Sequence, residues 1–510
     1  MLNQLKIILH NTKQHKWLLL LMIVHVGIAF YFIAQQNITY DEPSYIEYSK
    51  RWLHGNPNRI EALDDSKTPV ISFVWLPRIV KQIITPNYQL NDFGRQDQKD
   101  GRYMMILVSL LIMLYIYRFA LLLKLRHGWF ILFFYIFDPL ITAYAVLINS
   151  DLLSGFLLLA IVFHLFKFYQ KKQFRQFFIA AILMGVALVT KHTFLFGLPL
   201  FIMAIFYATP KFYLKYFFST VGILLFVINL AFYFHESFLP LANYHFKSKV
   251  FIELQSTFSW LPIPVPSSYL QSIDLLQYHA QLGGSINNTY TGVYLLQQVN
   301  LNNGFWYYYF VVALYKIPLS IWGLTIIGLA FFIRRFQQYK KLFFFLVVPA
   351  IYFVFVLSFF NQFQIGIRHL LLVVPLLYVL LAMVLQRIAL TKAKYVLITF
   401  WIFVMASFLK YYPDLIPYTN ELLVDKTKVY ETMMDSSIDY GQSDSTVALF
   451  LRTNINYKIP DSTPASGTYI VSMYQYVEQL KRGDTSLNWL IKKHAPVGLL
   501  KHVYLKYDVK

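Results

Sequence analysis

The chain contains no cysteine and few charged residues, and each shortage excludes a class of protein. With no cysteine among 510 residues, disulfide bonds and thiolate catalysis are excluded. Only 14% of the residues are charged, whereas an ordinary soluble domain carries about 25%. Hydrophobic residues make up 57% of the chain. This composition indicates a protein that is embedded in a membrane.

Several nucleotide and hydrolase motifs are also missing. The sequence has no P-loop, no glycine-rich dinucleotide turn and no Gly-x-Ser-x-Gly nucleophile elbow, so an NTP-driven or serine-hydrolase mechanism has no support. The net charge of +20 would suit a nucleic acid, but Lys and Arg fall mainly in short loops between apolar segments. Membrane topology explains these charges better, and no nucleic-acid partner is expected.

Apolar runs long enough to cross a bilayer recur along the chain. A membrane helix needs roughly 20 apolar residues. By that measure we predict about eleven spans, at 17–34, 103–123, 129–148, 152–169, 177–190, 193–209, 216–235, 305–333, 342–360, 367–385 and 394–410. No small-residue cleavage site follows the first run, so we interpret it as an uncleaved transmembrane helix.

Lys and Arg are concentrated in alternate loops, and the loops rich in these residues face the cytoplasm. The basic set is Lys6/Lys13/Lys16, Lys124/Arg126, Lys167/Lys171/Lys172/Arg175, Lys211/Lys215, Arg334/Arg335/Lys340/Lys341 and Arg387/Lys392/Lys394. The N-terminus is therefore predicted inside and the C-terminus outside. We expect a multi-pass protein of the cell's inner, cytoplasmic membrane.

Three non-membrane segments then lie on the extracytoplasmic face. Two are the loops 35–102 and 237–304, which belong to a transmembrane domain of residues 1–410. The third is the tail 411–510, whose β-branched runs, such as residues 468–471, predict a small α/β domain. The predicted fold class is thus mainly α, with the soluble material and the chemistry on the outer side.

An acidic dipeptide follows directly on the first span, in Tyr40-Asp41-Glu42-Pro43. A carboxylate at the membrane surface stays ionised because water reaches it, yet it can face a lipid-borne substrate. Such a group can act as a general base toward an acceptor hydroxyl when the leaving group is a lipid phosphate. Taken alone, however, the dipeptide favours an ordinary solvated loop.

Two further aspartates stand beside helix boundaries. Asp151 lies at the start of the fourth span, where N-capping and a catalytic or metal-binding role are equally supported. Asp138 precedes Pro139 within the third span, and an ionisable group beside a helix break usually lines a cavity. The alternative for Asp138 is that it stabilises the kink.

Cations on the outer face have no topological purpose. Lys67, Lys191 and the pair Arg368-His369 lie at that level, where snorkelling to headgroups explains any single one of them. Together they favour a shared site for a lipid phosphate, since Arg grips phosphate oxygens bidentately and Lys acts as a point charge. Lys316 lies inside the eighth span, which indicates either a later helix start or a cavity.

Metal binding and other cofactors have little support in the sequence. Asp, Glu and His on the outer face could hold a divalent ion, since hard cations take carboxylate oxygens. No compact ligand spacing such as His-Glu-x-x-His is present. The sequence therefore establishes no cofactor, and whether the protein binds a divalent metal ion stays open.

At this point the chain resembles the GT-C class of polytopic glycosyltransferases, within glycosyltransferase family 39. That group includes relatives of protein O-mannosyltransferases and of the lipid A aminoarabinose transferase. The resemblance rests on Tyr40-Asp41-Glu42, Ser66-Lys67-Thr68-Pro69, Asn149-Ser150-Asp151, Lys191-His192-Thr193, residues 304–309, Lys316-Ile317-Pro318-Leu319, Gly366-Ile367-Arg368-His369, and residues 411–421. A last block, residues 435–442, is similar to the family's Asp-Ser-Asn-x-Asp-Trp-Gly-Gln signature, with Ser437 for Asn and Tyr440 for Trp.

The resemblance implies a GT-C fold and an inverting transfer from a polyprenyl-phosphate sugar to an acceptor hydroxyl. Asp41 would be the base, with Glu42 and Asp151 orienting a substrate or binding a metal. The donor phosphate would be bound by Lys67, Lys191, Arg368 and His369. Two departures matter: Ser66 and the inserted Thr68 weaken a metal role at the Lys67 loop, and the absence of a Trp-Trp pair argues against an oligosaccharyltransferase.

Two other functions compete with sugar transfer. A transporter or flippase for a lipid-linked sugar would place charges near the bilayer midplane and often shows inverted repeats, neither of which the sequence favours. A non-catalytic scaffold would not need the Asp41-Glu42 pair. The sugar, the acceptor (protein, lipid or glycan) and the oligomeric state stay open; membrane lipids are the other expected partners.

Overall fold

The structure is a computed structural model that describes residues 2–60, 64, 67–85, 95–282, 292–301, 304–361, 363–389 and 394–510. Ser66, Lys392 and parts of the predicted loops 35–102 and 237–304 lie outside the described residues. The described chain is mainly helical, as predicted, and its strands are concentrated in the tail.

Twenty-two α-helices follow one another in the described residues. They are α1 (Leu2–Gln35), α2 (Glu42–Leu53), α3 (Leu76–Ile84), α4 (Arg95–Leu122), α5 (Ile131–Ile136), α6 (Pro139–Tyr144), α7 (Ser150–Lys171), α8 (Phe174–Leu188), α9 (Leu198–Ala208), α10 (Tyr213–Ala231), α11 (Lys249–Thr257), α12 (Ser267–Gln281), α13 (Tyr308–Lys316), α14 (Leu319–Arg334), α15 (Phe336–Leu342), α16 (Val348–Phe359), α17 (Val374–Ala389), α18 (Lys394–Tyr411), α19 (Val429–Thr432), α20 (Asp444–Thr453), α21 (Met473–Lys481) and α22 (Asn488–Ile491).

The strands form a hairpin and a small sheet. They are β1 (Val293–Leu295), β2 (Gln298–Asn300), β3 (Tyr457–Lys458), β4 (Gly467–Ser472), β5 (Gly498–Leu500) and β6 (Tyr504–Val509). Two 3₁₀ turns matter for the site, namely Pro69–Trp75 and Ile367–Leu372.

Apolar helices long enough to cross a bilayer confirm a multi-pass membrane protein. Among the described residues five pass by length and composition, at His15–Gln35, Lys99–Leu122, Ser150–Lys171, Pro210–Ala231 and Phe336–Phe359. The pair α13 and α14 passes as one span bent by 115°. Four shorter apolar helices coincide with other predicted spans, at Phe174–Leu188, His192–Ala208, Val374–Ile388 and Tyr395–Tyr411. The count of eleven stays a prediction.

The helix break predicted at Pro139 is present, and a second break at Pro318 divides the span that was predicted as continuous over 305–333. Each break is held by a polar group. Asp138 lies between α5 and α6, accepts a hydrogen bond from the Leu140 N–H at 2.8 Å, and accepts another from the Tyr378 hydroxyl at 2.7 Å. It is buried, so its contacts are those of a group that stabilises the kink. Between α13 and α14, Asn420 donates to the Ile317 carbonyl at 2.8 Å.

Helix α7 is the central element of the membrane region, with most of its length buried. It meets the Ile367–Leu372 turn at Gly155, where an added Cβ would come within 2.4 Å of the Leu371 carbonyl oxygen. Only glycine permits so close an approach. The contact brings the start of α7, with Asp151, beside the turn that carries Arg368.

The tail forms a four-stranded sheet in the order β3-β4-β6-β5. Strands β3 and β4 are parallel, and the other neighbours are antiparallel, with Val471 opposite Leu505. Alternate residues of β6 are buried, as expected for a sheet with one face on a core. The α/β character predicted for the tail is thus present, while the domain boundary at residue 411 stays a prediction.

The tail lies against the face of the membrane region that carries Asp41, which we call the Asp41 face. The Tyr40 N–H donates to the Tyr440 carbonyl at 3.0 Å. The buried Lys316 ammonium donates to the carbonyls of Ile416 at 2.8 Å and Ser437 at 2.6 Å. These bonds place residues 435–442 directly beside Asp41.

Candidate active site

Asp41 lies in the short connection between α1 and α2. Its side chain does not cap α2 and remains 37% exposed. One carboxylate oxygen, Oδ2, accepts a hydrogen bond from Arg368 Nη1 at 2.9 Å and another from the Tyr440 hydroxyl. Asp41 therefore combines access to solvent with a fixed orientation, as a general base requires.

The pKa of Asp41 lies below its usual range. Partial burial disfavours the charged carboxylate, but the charge of Arg368 and the hydrogen bonds from Tyr440 and Arg368 outweigh that effect. The charge of Lys67 lowers the pKa further. Asp41 is consequently ionised at neutral pH and able to accept a proton.

Glu42 points to the opposite side and is fully buried. Arg102 binds both of its oxygens, with Nε to Oε1 at 2.8 Å and Nη2 to Oε2 at 2.6 Å. The Thr39 N–H and the Ile148 N–H donate to the same carboxylate at 2.8 and 3.1 Å. These contacts join α2, α4 and the segment before α7. They give Glu42 a structural role, and its predicted role toward a substrate stays untested.

Asp151 is held in the first turn of α7, which Asn149 caps by accepting from the Asp151 N–H at 3.0 Å. The carboxylate pairs with Lys191 Nζ at 2.5 Å and lies 3.9 Å from Arg368 Nε. Arg368 thus lies between Asp41 and Asp151, and its buried Nε has no hydrogen-bond partner among the described residues. Asp151 is one of the predicted site residues, and it is not the cap.

The Lys67 loop reaches the same place. The Thr68 hydroxyl donates to the Thr190 carbonyl at 2.7 Å, which fixes the loop beside Lys191. Lys67 Nζ lies 5.1 Å from the centre of the Tyr45 ring. The inserted Thr68 therefore serves to anchor the loop, and the structure brings Lys67 and Lys191 to the site of Asp41.

His369 is oriented by two neighbours that the sequence did not reveal. Its Nδ1 lies 2.8 Å from the Tyr309 hydroxyl oxygen and 3.2 Å from the Asn361 amide nitrogen. The Asn361 amide is itself oriented, because its oxygen accepts from the Phe363 N–H at 3.0 Å. An amide nitrogen can only donate, so Nδ1 is the acceptor and the ring proton is on Nε2. His369 is therefore a neutral donor beside Asp151 and Lys191.

The 435–442 block supplies a site residue from the tail. Tyr440 contacts Asp41 through its hydroxyl, and the Arg368 guanidinium lies 4.9 Å from the centre of its ring. Gly366 has a φ of 110°, and an added Cβ there would meet Asp435 at 2.8 Å. The block thus packs tightly on the turn that carries Arg368. The block has Tyr440 where the family signature has Trp, and this difference was the sequence signal that could have identified Tyr440 as a site residue.

The site brings cations and carboxylates together. Lys67, Lys191 and Arg368 lie around Asp41 and Asp151. Arg and Lys are side chains that bind phosphate oxygens. Fixed cations around a phosphate would stabilise the negative charge that develops on a leaving oxygen.

The carboxylates do not form a metal site. In the part of the chain that the structure describes, no group of three or more His, Asp or Glu is arranged to hold a metal ion. Asp151 pairs with Lys191, and Asp41 pairs with Arg368 and Tyr440. This donor set does not fit a divalent ion.

A family model matches the part of the chain that holds Asp151 and Lys191. The matched residues are 88–233, and the model is described as dolichyl-phosphate-mannose-protein mannosyltransferase. No curated protein matches the chain significantly.

Two solved structures are similar over almost the full length. The crystal structure of ArnT from Cupriavidus metallidurans bound to undecaprenyl phosphate has a TM-score of 0.46 and 12% identity, and covers 96% of this chain and 98% of that chain. The apo form of ArnT has a TM-score of 0.44 at the same identity and coverage.

Proposed function

We propose that this protein is a membrane glycosyltransferase that moves a sugar from a polyprenyl-phosphate donor to an acceptor hydroxyl. The observation that carries the proposal is Arg368, which bridges a half-exposed Asp41 and the Asp151–Lys191 pair. A base and a phosphate-binding group then lie side by side. The match of residues 88–233 to a mannosyltransferase family supports the donor class.

The reaction is a single displacement with inversion at the sugar. Asp41 takes the proton of the acceptor hydroxyl while the oxygen of that hydroxyl attacks the sugar's C1. The bond between C1 and the phosphate oxygen breaks, and its electron pair stays on the phosphate. Arg368, Lys191, Lys67 and the Nε2–H of His369 stabilise that charge.

The remaining site residues position these groups. Asp151 holds Lys191 at 2.5 Å and keeps a second charge beside Arg368. Tyr309 and Asn361 keep the His369 proton on Nε2. Glu42 supports the start of α2 from below, so that Asp41 has a fixed place.

An apolar cavity between α7, α8, α9 and α16 is lined by side chains that include Leu158, Phe201 and Phe353. In this proposal the first part of the polyprenyl chain enters that cavity. Leu158 is seven residues after Asp151 on α7, a rise of about 10 Å along the helix. The predicted topology puts the Asp41 face on the extracytoplasmic side of the cytoplasmic membrane, where a protein, lipid or glycan acceptor would arrive.

The experiment uses a readout that needs no knowledge of the sugar. Purified protein in detergent is mixed with a bacterial lipid extract and total envelope material. Free undecaprenyl phosphate is then measured by mass spectrometry. We expect wild-type protein to release it and Asp41→Asn to release about 100-fold less, with the same elution profile on size exclusion.

Two outcomes would count against the proposal. Full release by Asp41→Asn would remove the base assignment. No release by wild-type protein in detergent, together with movement of a lipid-linked sugar across sealed vesicles, would indicate the transporter instead. Mass spectrometry of envelope glycans with and without the protein would then identify the missing sugar and its attachment point.

A further inference from the structure

We propose that Tyr440 is a positioning residue that holds one oxygen of Asp41, so that the other oxygen receives the acceptor's proton. The inference rests on the proposed function and adds a residue from the tail to its site. It concerns the hydroxyl of one side chain and predicts a shift in pH dependence, which purely structural packing would not produce.

The contacts form a closed triangle. The Tyr440 hydroxyl donates to Asp41 Oδ2, the oxygen that also accepts from Arg368 Nη1 at 2.9 Å. Arg368 Nη1 in turn donates to the Tyr440 hydroxyl oxygen. Oδ2 therefore has two donors, whereas Oδ1 has no side-chain donor among the described residues. Oδ1 is the free oxygen on a carboxylate that is still partly exposed.

The backbone around Tyr440 prevents its ring from swinging away. Its N–H donates to Gln442 Oε1 at 2.6 Å, and its carbonyl accepts from the Tyr40 N–H at 3.0 Å. Gly441 follows with a φ of 80°, and an added Cβ there would lie 2.7 Å from the Tyr40 ring. The ring itself is 3% exposed. These contacts hold the hydroxyl against Asp41.

The proton balance of this arrangement is simple. During transfer the O–H bond of the acceptor breaks and an O–H bond forms on Asp41, while Tyr440 keeps its own proton. Burial raises the pKa of the Tyr440 phenol well above its usual value, so the phenol stays a donor at every working pH. A donor stabilises the ionised form of Asp41 and lowers its proton affinity.

Other charged and titratable groups also face Asp41. They are Arg368, Lys67, Tyr45 and Tyr474, and Asp151 lies on the other side of Arg368. All of them remain when the Tyr440 hydroxyl alone is removed, so a change of pH dependence in Tyr440→Phe reports the hydroxyl. The matched control is Tyr504→Phe, which removes a phenol that donates to Asp444 at 3.1 Å in the same tail.

The test is the pH profile of undecaprenyl phosphate release at limiting substrate. The acid limb of such a profile reports the pKa of the free enzyme's base. We expect its midpoint to rise by about one pH unit in Tyr440→Phe and to stay in place in Tyr504→Phe. Introducing 3-fluorotyrosine at position 440, a more acidic donor that keeps the ring, should move the midpoint downward. An unchanged midpoint in both position-440 variants would overturn the proposal.

A second measurement separates this proposal from the proposed function. The infrared carboxyl band of Asp41, taken as wild type minus Asp41→Asn, is titrated without any substrate. A rise of about one pH unit in Tyr440→Phe supports the positioning role even if no sugar transfer is found. An unshifted titration would contradict it even in an active enzyme.

Discussion

Asp41 and Glu42 are neighbours in the chain, yet their surroundings differ in every respect that matters for chemistry. The Asp41 side chain is 37% exposed, and its charge is shared with a cation that also faces Asp151. The Glu42 side chain is 1% exposed and accepts five hydrogen bonds, two from Arg102, two from Thr39 and one from Ile148. One carboxylate has a free oxygen for a substrate, and the other has none to spare.

The contrast shows how a paired acidic motif divides its roles. Successive residues at a helix start point about 100° apart. Asp41, before α2, therefore faces the turn with Arg368, and Glu42, inside α2, faces α4. A buried ion pair that is fully hydrogen-bonded holds structure together, whereas an incompletely satisfied charge beside a cationic site can do chemistry.

The largest effect, a loss of stability, is expected when the buried pair of Glu42 and Arg102 is broken by Arg102→Gln. The change leaves Glu42 buried without its counter-charge, which costs about 3–5 kcal/mol. In detergent the melting temperature should fall by roughly 5–15 °C. Arg118→Gln is the matched control, since it removes an exposed arginine from the same helix. Equal melting temperatures for the two variants would show that the buried pair does not support the fold.

The next largest effect, a loss of turnover, is expected when the partly exposed pair of Asp41 and Arg368 is broken by Arg368→Gln. This removes the group between the two aspartates, and loss of one preorganised charge-stabilising donor typically slows a reaction about 10²- to 10³-fold. Release of undecaprenyl phosphate measures it. The control is Arg387→Gln on α17, whose arginine bonds to Tyr339 at 3.0 Å. Retained turnover in Arg368→Gln would remove the phosphate role of this residue.

The smallest effect is expected at a third carboxylate, Asp439, whose contribution to stability can be compared with that of Glu42. Burial raises the pKa of Asp439 to about 7, with the nearby Asp444 charge adding to the shift. Between about pH 4 and 7 the unfolded chain loses this proton and the folded protein keeps it, so stability falls as pH rises. Asp439→Asn can keep the bond from the Gly441 N–H. It should melt a few degrees higher than wild type at pH 8 and equally at pH 4.

The reverse result for Asp439→Asn has a clear meaning. A variant that melts lower at pH 8 would show that the ionised Asp439 contributes to folding. It would then resemble Glu42 and not a carboxylate that burial destabilises. Melting curves at the two pH values in one detergent decide between these outcomes.

The membrane helices and part of the site could be predicted from sequence because they depend on local patterns. Apolar runs predicted the helices. Lys67, Lys191 and Arg368 were identified because they lie on the extracytoplasmic face, where Lys and Arg are otherwise scarce. The structure places all three near Asp41 or Asp151. The break at Pro139 was equally local, because proline cannot continue a helix. The same rule applies at Pro318, where the span 305–333 was wrongly predicted as continuous.

The rest depended on contacts between distant segments. Arg102 meets Glu42 across 60 positions, and Tyr440 meets Asp41 across 399. Nothing in the local pattern of Arg102 distinguishes it from a cation in a solvated loop. The direction in which Glu42 points follows from where α2 begins, and that boundary is set by packing.

The most direct test compares Asp41→Asn with Glu42→Gln in one experiment that records turnover per folded molecule and melting temperature. We expect Asp41→Asn to lose at least about 100-fold in release of undecaprenyl phosphate while melting like wild type. Glu42→Gln should melt lower and keep turnover within a few-fold for the molecules that remain folded. If Asp41→Asn keeps its turnover, or if Glu42→Gln loses as much without losing stability, the assignment of the two carboxylates is contradicted.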